Sequence, residues 1–332
     1  MVGVIIGLLM FMFLITFHEL GHFIGAKSSN IKVNEFSIGM GPSIYSKQKG
    51  ETKYSLRALP IGGYVSMEGE DEESEDERGF NNSSKLARFI TILAGPFMNF
   101  LTAFVLFLII FSRIGIPSTS ISNVIENYPA IEAGLQKDDI ILKVDDNHIK
   151  SQKDFLKKIN ESEGKEVNIE VLRGENNISL KVKPKQVEGH YLIGIEFNRE
   201  YGFLNIVKHS FVEIKEIVVI TWNALTGLFT GNVSFKELSG PIGVIKVVGE
   251  NVKYGLNTIL MFTAIISINL GFFNLLPIPA LDGSKLLFII VEAIIGKPIN
   301  KKFEQTITIV GFIALMALIL VVSVKDVLFI FK

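Results

Sequence analysis

The chain has 332 residues, 48% of them hydrophobic and 20% charged, with a net charge of −1. The apolar residues gather into long runs, which excludes a wholly soluble, disordered or fibrous protein, and the near-neutral balance gives no case for nucleic acid as a partner. There is no cysteine, so disulfides, thiolate metal sites and cysteine nucleophiles are excluded, and any metal must sit on His, Asp or Glu.

Four stretches are long and uncharged enough to span a bilayer: 2–26, 89–112, 256–276 and 307–324. The first lacks a basic leader and a small-residue cleavage site, and two histidines and a glutamate lie near its end, so it reads as a retained helix. Lys27 and Lys32 follow it, Lys85 and Arg88 precede the second span, and Lys297, Lys301 and Lys302 lie between the third and fourth. These loops are expected in the cytoplasm, with both termini and 113–255 outside. The loop 27–88 shows short strand patterns at 33–38, 43–46, 53–58 and 64–67, with turn residues at Lys49-Gly50 and Gly62-Gly63. Residues 68–77 hold eight acidic residues in ten, the composition of a solvated, mobile loop. Strand patterns at 120–125, 140–144, 167–172 and 178–182, and a helix over 151–159 capped by Ser151, form a small α+β domain. In 203–230 apolar residues recur every three to four positions, interrupted by Lys208, His209, Glu213, Lys215 and Glu216. That pattern predicts an amphipathic helix on the outer membrane face.

The chemistry concentrates in Phe17-His18-Glu19-Leu20-Gly21-His22. Histidines four apart share one helix face and can hold one zinc, with Glu19 beside it to take a proton from a zinc-activated water. Three ionisable residues in five positions at the end of an apolar helix are costly in lipid and mark function. A catalytic zinc needs a third protein ligand and an open position. The second and fourth spans hold no Asp, Glu or His, and His148, His190 and His209 lie outside the spans, as do Glu292 and Glu304. Asp282 remains, after Pro277 and Pro279, which should break the helix and leave backbone lining a zinc chamber. Asn274, in the same segment, is a candidate to hold the substrate backbone or the oxyanion.

These residues resemble the site-2 proteases, intramembrane zinc metalloproteases, of the bacterial regulator-of-sigma-factor type. The likeness runs over His18-Glu19-Leu-Gly-His22, Asn274-Leu-Leu-Pro-Ile-Pro-Ala-Leu-Asp282-Gly283, Gly62-Gly63-Tyr64-Val65, Gly95-Pro96-Phe-Met-Asn99 and Ser239-Gly240-Pro241-Ile-Gly243. Residues 129–141 are similar to a PDZ domain, in which Gly134 and Leu135 are candidate peptide contacts. The chain departs from the family at Asp138-Asp139, where Gly-Asp is usual, and at Ser284, where a second glycine is usual.

The resemblance implies one zinc per chain on His18, His22 and Asp282, with Glu19 as catalytic base. It implies substrate contacts at Asn274, Gly62, Gly63 and Tyr64, and a place in the bacterial cell membrane with the active site toward the cytoplasm. The substrates would be single-pass membrane proteins already cut outside, such as anti-sigma factors or signal-peptide remnants. The expected architecture is a polytopic α-helical membrane protein of about four transmembrane helices, with a cytoplasmic membrane-associated β-region and an inserted extracytoplasmic α+β PDZ domain. Its parts are 1–112 (two spans and the β-region), 113–200 (PDZ), 201–255 (surface helix and linker) and 256–332 (two spans and the Asp motif). A metal transporter using His18, His22 and Asp282 as an ion path, and a non-catalytic PDZ scaffold, are the rival readings. Glu19 argues against the first and the complete ligand set against the second.

Overall fold

Long charge-free runs become helices because a helix satisfies its own backbone in an apolar setting. In a computed structural model that describes residues 2–70, 72, 74–234 and 240–330, four helices are long and apolar enough to cross a membrane. They lie in α1 (Val2–Ser28), α2 (Lys85–Ile114), α7 (Leu256–Leu275) and α9 (Lys301–Ile330). Ser239, Asp71 and Glu73, which belong to features quoted above, lie outside the described residues.

Two compact units are present, one of residues 1–109 with 210–332 and one of residues 110–209. The first holds a sheet of two long strands, β1 (Val33–Lys49) and β2 (Thr52–Met67), turning at Gly50. The four expected short strands run together into these two. Each of residues 35–38 meets two partners, one in 53–56 and one in 63–66. That segment therefore lies between two stretches of β2. Gly62 is not a turn between strands but a bend within β2, at φ +83°. A cluster of Ala26, Ile31, Val33, Met67, Phe80, Ile92, Leu286 and Ile289 ties the sheet to the ends of α1, α2 and α8 (Asp282–Ile295).

The acidic run is held where a mobile loop was expected. Glu68 accepts from Asn34 at 2.9 Å and Ser74 at 2.6 Å, Asp76 from Lys32 at 2.9 Å, and Glu70 from Lys285 at 2.6 Å. Cations delivered by other elements offset the repulsion that a reading of the run in isolation would weigh. The helix α5 (Phe203–Thr230) also differs from expectation. It runs beside the spans rather than across their outer ends. Phe211 stacks on Phe104 of α2, the Thr221 hydroxyl donates to Asn269 Oδ1 at 2.7 Å, and Trp222 meets Phe272 near the far end of α7. Its charges crowd into the first half, which leaves an uncharged second half free to pack on helices. A short helix, α6 (Pro241–Asn251), packs on the first half of α1 through Gly3 and Gly249.

The second unit is built on a sheet in the order β10 (Ile195–Glu200), β3 (Ile116–Val124), β4 (Ile140–Val144), β6 (Val167–Arg173), β7 (Asn176–Val182). The minor strands β5 (Asn147–His148), β8 (Lys185–Val187) and β9 (His190–Leu192) and the helix α3 (Pro129–Glu132) complete it with α4. The helix α4 (Gln152–Glu161) begins where Ser151 accepts from the Asp154 N–H, and it buries Phe155 and Ile159 against the sheet. The Asp138-Asp139 departure has a physical account. Asp138 takes φ +71°, which aspartate tolerates better than most residues, so the turn forms without glycine. Asp139 is fully buried. Burial raises its pKa, but the Arg173 guanidinium, at 2.7 Å and 2.8 Å, outweighs that and holds the carboxyl below its usual range.

Candidate metal centre

His18 and His22 sit one turn apart on α1, on the face that meets α2. The helices close to near contact because the facing positions are small. Gly21 and Gly25 lie against Thr91 and Ala94, and a Cβ on Gly95 would overlap the His22 ring. Lipid-facing helices gain little from apolar burial, so small residues at the seam let packing do the work. Both histidines are buried.

Asp282 opens α8 and reaches the same point. Its Oδ2 lies 3.1 Å from His18 Nε2 and 3.3 Å from His22 Nε2, and the two Nε2 atoms are 3.2 Å apart. One ligand atom from each residue falls within 4.8 Å of the others. Asp282 Oδ2 is buried without a hydrogen-bond partner. Two imidazole nitrogens and one carboxylate oxygen, convergent and otherwise uncommitted, are a donor set that zinc accepts, with room in a tetrahedron for one more ligand.

The outer ring nitrogens are also held. His22 Nδ1 donates to the Thr91 carbonyl at 3.0 Å. His18 Nδ1 lies 3.1 Å from the Asn99 amide. With Nε2 turned to a metal, the proton of each ring sits on Nδ1. Asn99 then presents its oxygen, the amide end that is buried and otherwise lacks a partner. Asn99 is fixed in turn, its backbone carbonyl accepting from Ser267 of α7 at 2.8 Å.

Glu19 faces β2. Gly63 runs beside it: a Cβ there would stand 3.4 Å from Glu19 Cγ, an ordinary contact, but 2.8 Å from the Ser37 carbonyl of β1, which is what calls for glycine. Tyr64 follows, its hydroxyl accepting from Arg57 at 2.5 Å, and Arg57 also binds Glu35 at 2.8 Å. Burial and the Glu35 carboxylate push the Tyr64 phenol above its usual range, so it stays a neutral hydrogen-bonding group. Asn274 lies half-buried in the last turn of α7, and its amide makes no hydrogen bond to a described residue.

Between α7 and α8 the chain is broken by Pro277 and Pro279, as their fixed φ and missing N–H require. Ala280 sits at φ +74°, unusual for a residue with a Cβ. Gly283 is pressed against the Leu275 and Leu276 carbonyls, and Gly311 of α9 against Pro279. At the position where the family usually carries a second glycine, the Ser284 hydroxyl donates to Leu281 O at 2.8 Å, so the substitution is satisfied locally.

Thr91, the supporting role of Asn99 and the clearance at Gly95 were not assigned from sequence. Their signal was the polar or small residue inside an apolar span. Asp326 was missed too. It is buried in α9, and its Oδ2 accepts from the Gly240 and Gly243 N–H groups at 2.9 Å each, capping α6. In the second unit, Leu135 belongs to the hydrophobic core and Gly134 to a turn at φ +85°. Neither lines the unit's cleft of about 130 Å³, which lies between Phe155 and Ile159 of α4 and the stretch 191–197. Alternation placed the strands, but which loop borders the cleft depends on the tertiary fold.

The model of peptidase family M50 matches residues 6–318. A Clostridium perfringens protein named for an inferred zinc-metalloprotease activity is 38% identical over 98% of this chain and 98% of its own. A Fusobacterium nucleatum protein named in the same way is 39% identical over 98% of this chain and 96% of its own. The PDZ domain of an SdrC-like protein from Listeria monocytogenes aligns with 25% of this chain and 86% of its own at 27% identity and a TM-score of 0.21. The chain belongs to peptidase family M50, the site-2 proteases, and is a membrane-embedded zinc metalloprotease.

Proposed function

We propose that this M50 metalloprotease performs site-2 cleavage: it hydrolyses single-pass membrane proteins, already cut outside by another protease, within or near the bilayer. Anti-sigma factors and signal-peptide remnants are the substrate classes that this reading assigns. The observation that carries it is the convergence of His18, His22 and Asp282 at the ends of apolar helices, with Glu19 next to them in sequence.

His18, His22 and Asp282 would hold one zinc per chain, which would supply Lewis acidity toward a water and a carbonyl. Glu19 takes a proton from the attacking water and returns it to the leaving amine. Thr91 and Asn99 keep both imidazoles in the required tautomer and orientation. A substrate helix must unwind to expose its carbonyl and then needs new backbone partners. The stretch Gly62-Gly63-Tyr64, passing beside Glu19, supplies them by strand addition, and Asn274 holds the substrate from the other side. The 113–200 region serves as a PDZ-type size gate against substrates with bulky outer domains. The active site opens toward the cytoplasm, and both termini and that region lie outside.

Glu19→Gln tests the reading. The variant should keep its zinc, near one per chain by elemental analysis, and lose cleavage of a pre-cut single-pass substrate in detergent. Substantial turnover by purified Glu19→Gln protein would remove Glu19 from the mechanism.

A further inference from the structure

Where α2, α8 and α9 meet the 70–81 segment there is a cleft of about 440 Å³, and no zinc ligand lines it. Its polar wall carries three cations, Arg88, Lys285 and Lys301, and three carboxylates, Glu70, Glu292 and Glu304. Phe288 and Ile309 contribute an apolar part. Most of these charges are spent on each other. Arg88 donates to Glu292 at 2.5 Å, and Lys285 to Glu70 at 2.6 Å.

Two groups are not spent. The Lys301 ammonium is paired with no carboxylate of a described residue and meets the Glu72 carbonyl at 3.4 Å. The Glu304 carboxylate forms no hydrogen bond or ion pair with a described residue, and Lys285, Arg88 and Lys301 act on it only through space. A charge in a partly buried cleft is costly until it is paired, so a ligand that supplies the partner is favoured. The cleft thus asks for an acceptor at one point and a cation at another. It lies at the starts of α2 and α9, whose first residues Lys85 and Lys301 mark the ends of apolar spans, the level of lipid headgroups.

We propose that this cleft binds a zwitterionic aminophospholipid headgroup of the phosphatidylethanolamine type. The ammonium donates to Glu304, a phosphate oxygen accepts from Lys301 Nζ, and the glycerol end lies along Phe288 and Ile309. The balanced wall disfavours a purely anionic headgroup, which would face Glu304 without an ammonium to offer. A choline headgroup brings the charge but no N–H to donate. The proposal rests on the membrane reading of α2 and α9 and is independent of peptide hydrolysis.

Native mass spectrometry of the full-length protein tests it, with dioleoylphosphatidylethanolamine, dioleoylphosphatidylcholine and dioleoylphosphatidylglycerol titrated separately. The ethanolamine lipid should bind about tenfold more tightly than either other lipid, the worth of one charge-assisted hydrogen bond. Glu304→Gln should erase that preference while zinc content and helicity stay unchanged. Should that variant misfold, Ile309→Trp, which fills the cleft, should lower binding in its place. Equal retention of the three lipids, a preference for the glycerol lipid, or an ethanolamine preference that survives Glu304→Gln would overturn the proposal. So would a Lys-flanked transmembrane peptide that depends on Glu304 where the lipids do not, since the cleft would then belong to a protein partner.

Discussion

The helices α2 and α9 are both apolar and of equal length, yet they are held in opposite ways. In its most apolar stretch α2 is 44% buried, and its face toward α1 carries Thr91, Gly95 and Asn99, each against His18 or His22. The corresponding stretch of α9 is 11% buried. Its described polar and close-packed attachments to the bundle include Gly311 on Pro279 and Asp326 on the start of α6. Hydropathy marks both as spans and ranks α9 the more apolar, but it does not say which face meets a protein neighbour. What separates them is where small and polar residues fall. A helix that must place ligands to a fraction of an ångström spends its interface on close approach and hydrogen bonds.

The largest test of that contrast is Gly95→Ala. The added methyl meets the His22 ring, so zinc content should collapse and cleavage should fall by more than about 100-fold, as for a misplaced catalytic group. Retained metal by elemental analysis would mean that α2 can yield as α9 does. Asn99→Ala removes only the support of one ring, and zinc affinity measured by chelator competition should fall about 10- to 100-fold. On α9, Asp326→Ala strands two backbone donors, and thermal unfolding in detergent should show a loss of about 2–3 kcal/mol with zinc affinity nearly unchanged. A loss of zinc equal to that of Asn99→Ala would erase the distinction between the helices.

The smallest effect lies at the sheet. Arg78 and Lys27 hold the Glu51 carboxyl down at about 2 from an ordinary 4.5. A depressed carboxyl contributes stability above pH 4.5 that is lost as the pH falls through about 2. Glu51 is largely solvated, so Glu51→Gln should cost less than about 1 kcal/mol near neutral pH in a thermal melt, and the difference should vanish in acid.

Local rules made much of this legible. Run length and charge marked the spans, and the four-residue spacing of His18 and His22 marked a shared helix face. Elimination singled out Asp282 from the spans. The Ser151 cap and the alternation in 120–182 marked the elements of the second unit. Distance in sequence hid the rest. The acidic run is read as mobile until Lys32 and Lys285, 44 residues from Asp76 and 215 from Glu70, are seen to reach it. The course of α5 depends on Phe104, Asn269 and Phe272, none of which a helical-periodicity argument consults. Asn99 was visible as a polar residue in a span, but its partner lies 81 residues away.

Ala280 gives the loose attachment of α9 a further meaning. A left-handed conformation costs a residue with a side chain roughly 1–2 kcal/mol, and here it lies two positions before Asp282. The turn is tightly enclosed: the lack of a side chain at Gly311 lets α9 pass close to Pro279, and that at Gly283 lets α8 begin under two carbonyls. A side chain placed at Gly311 would therefore act on the turn that carries Asp282.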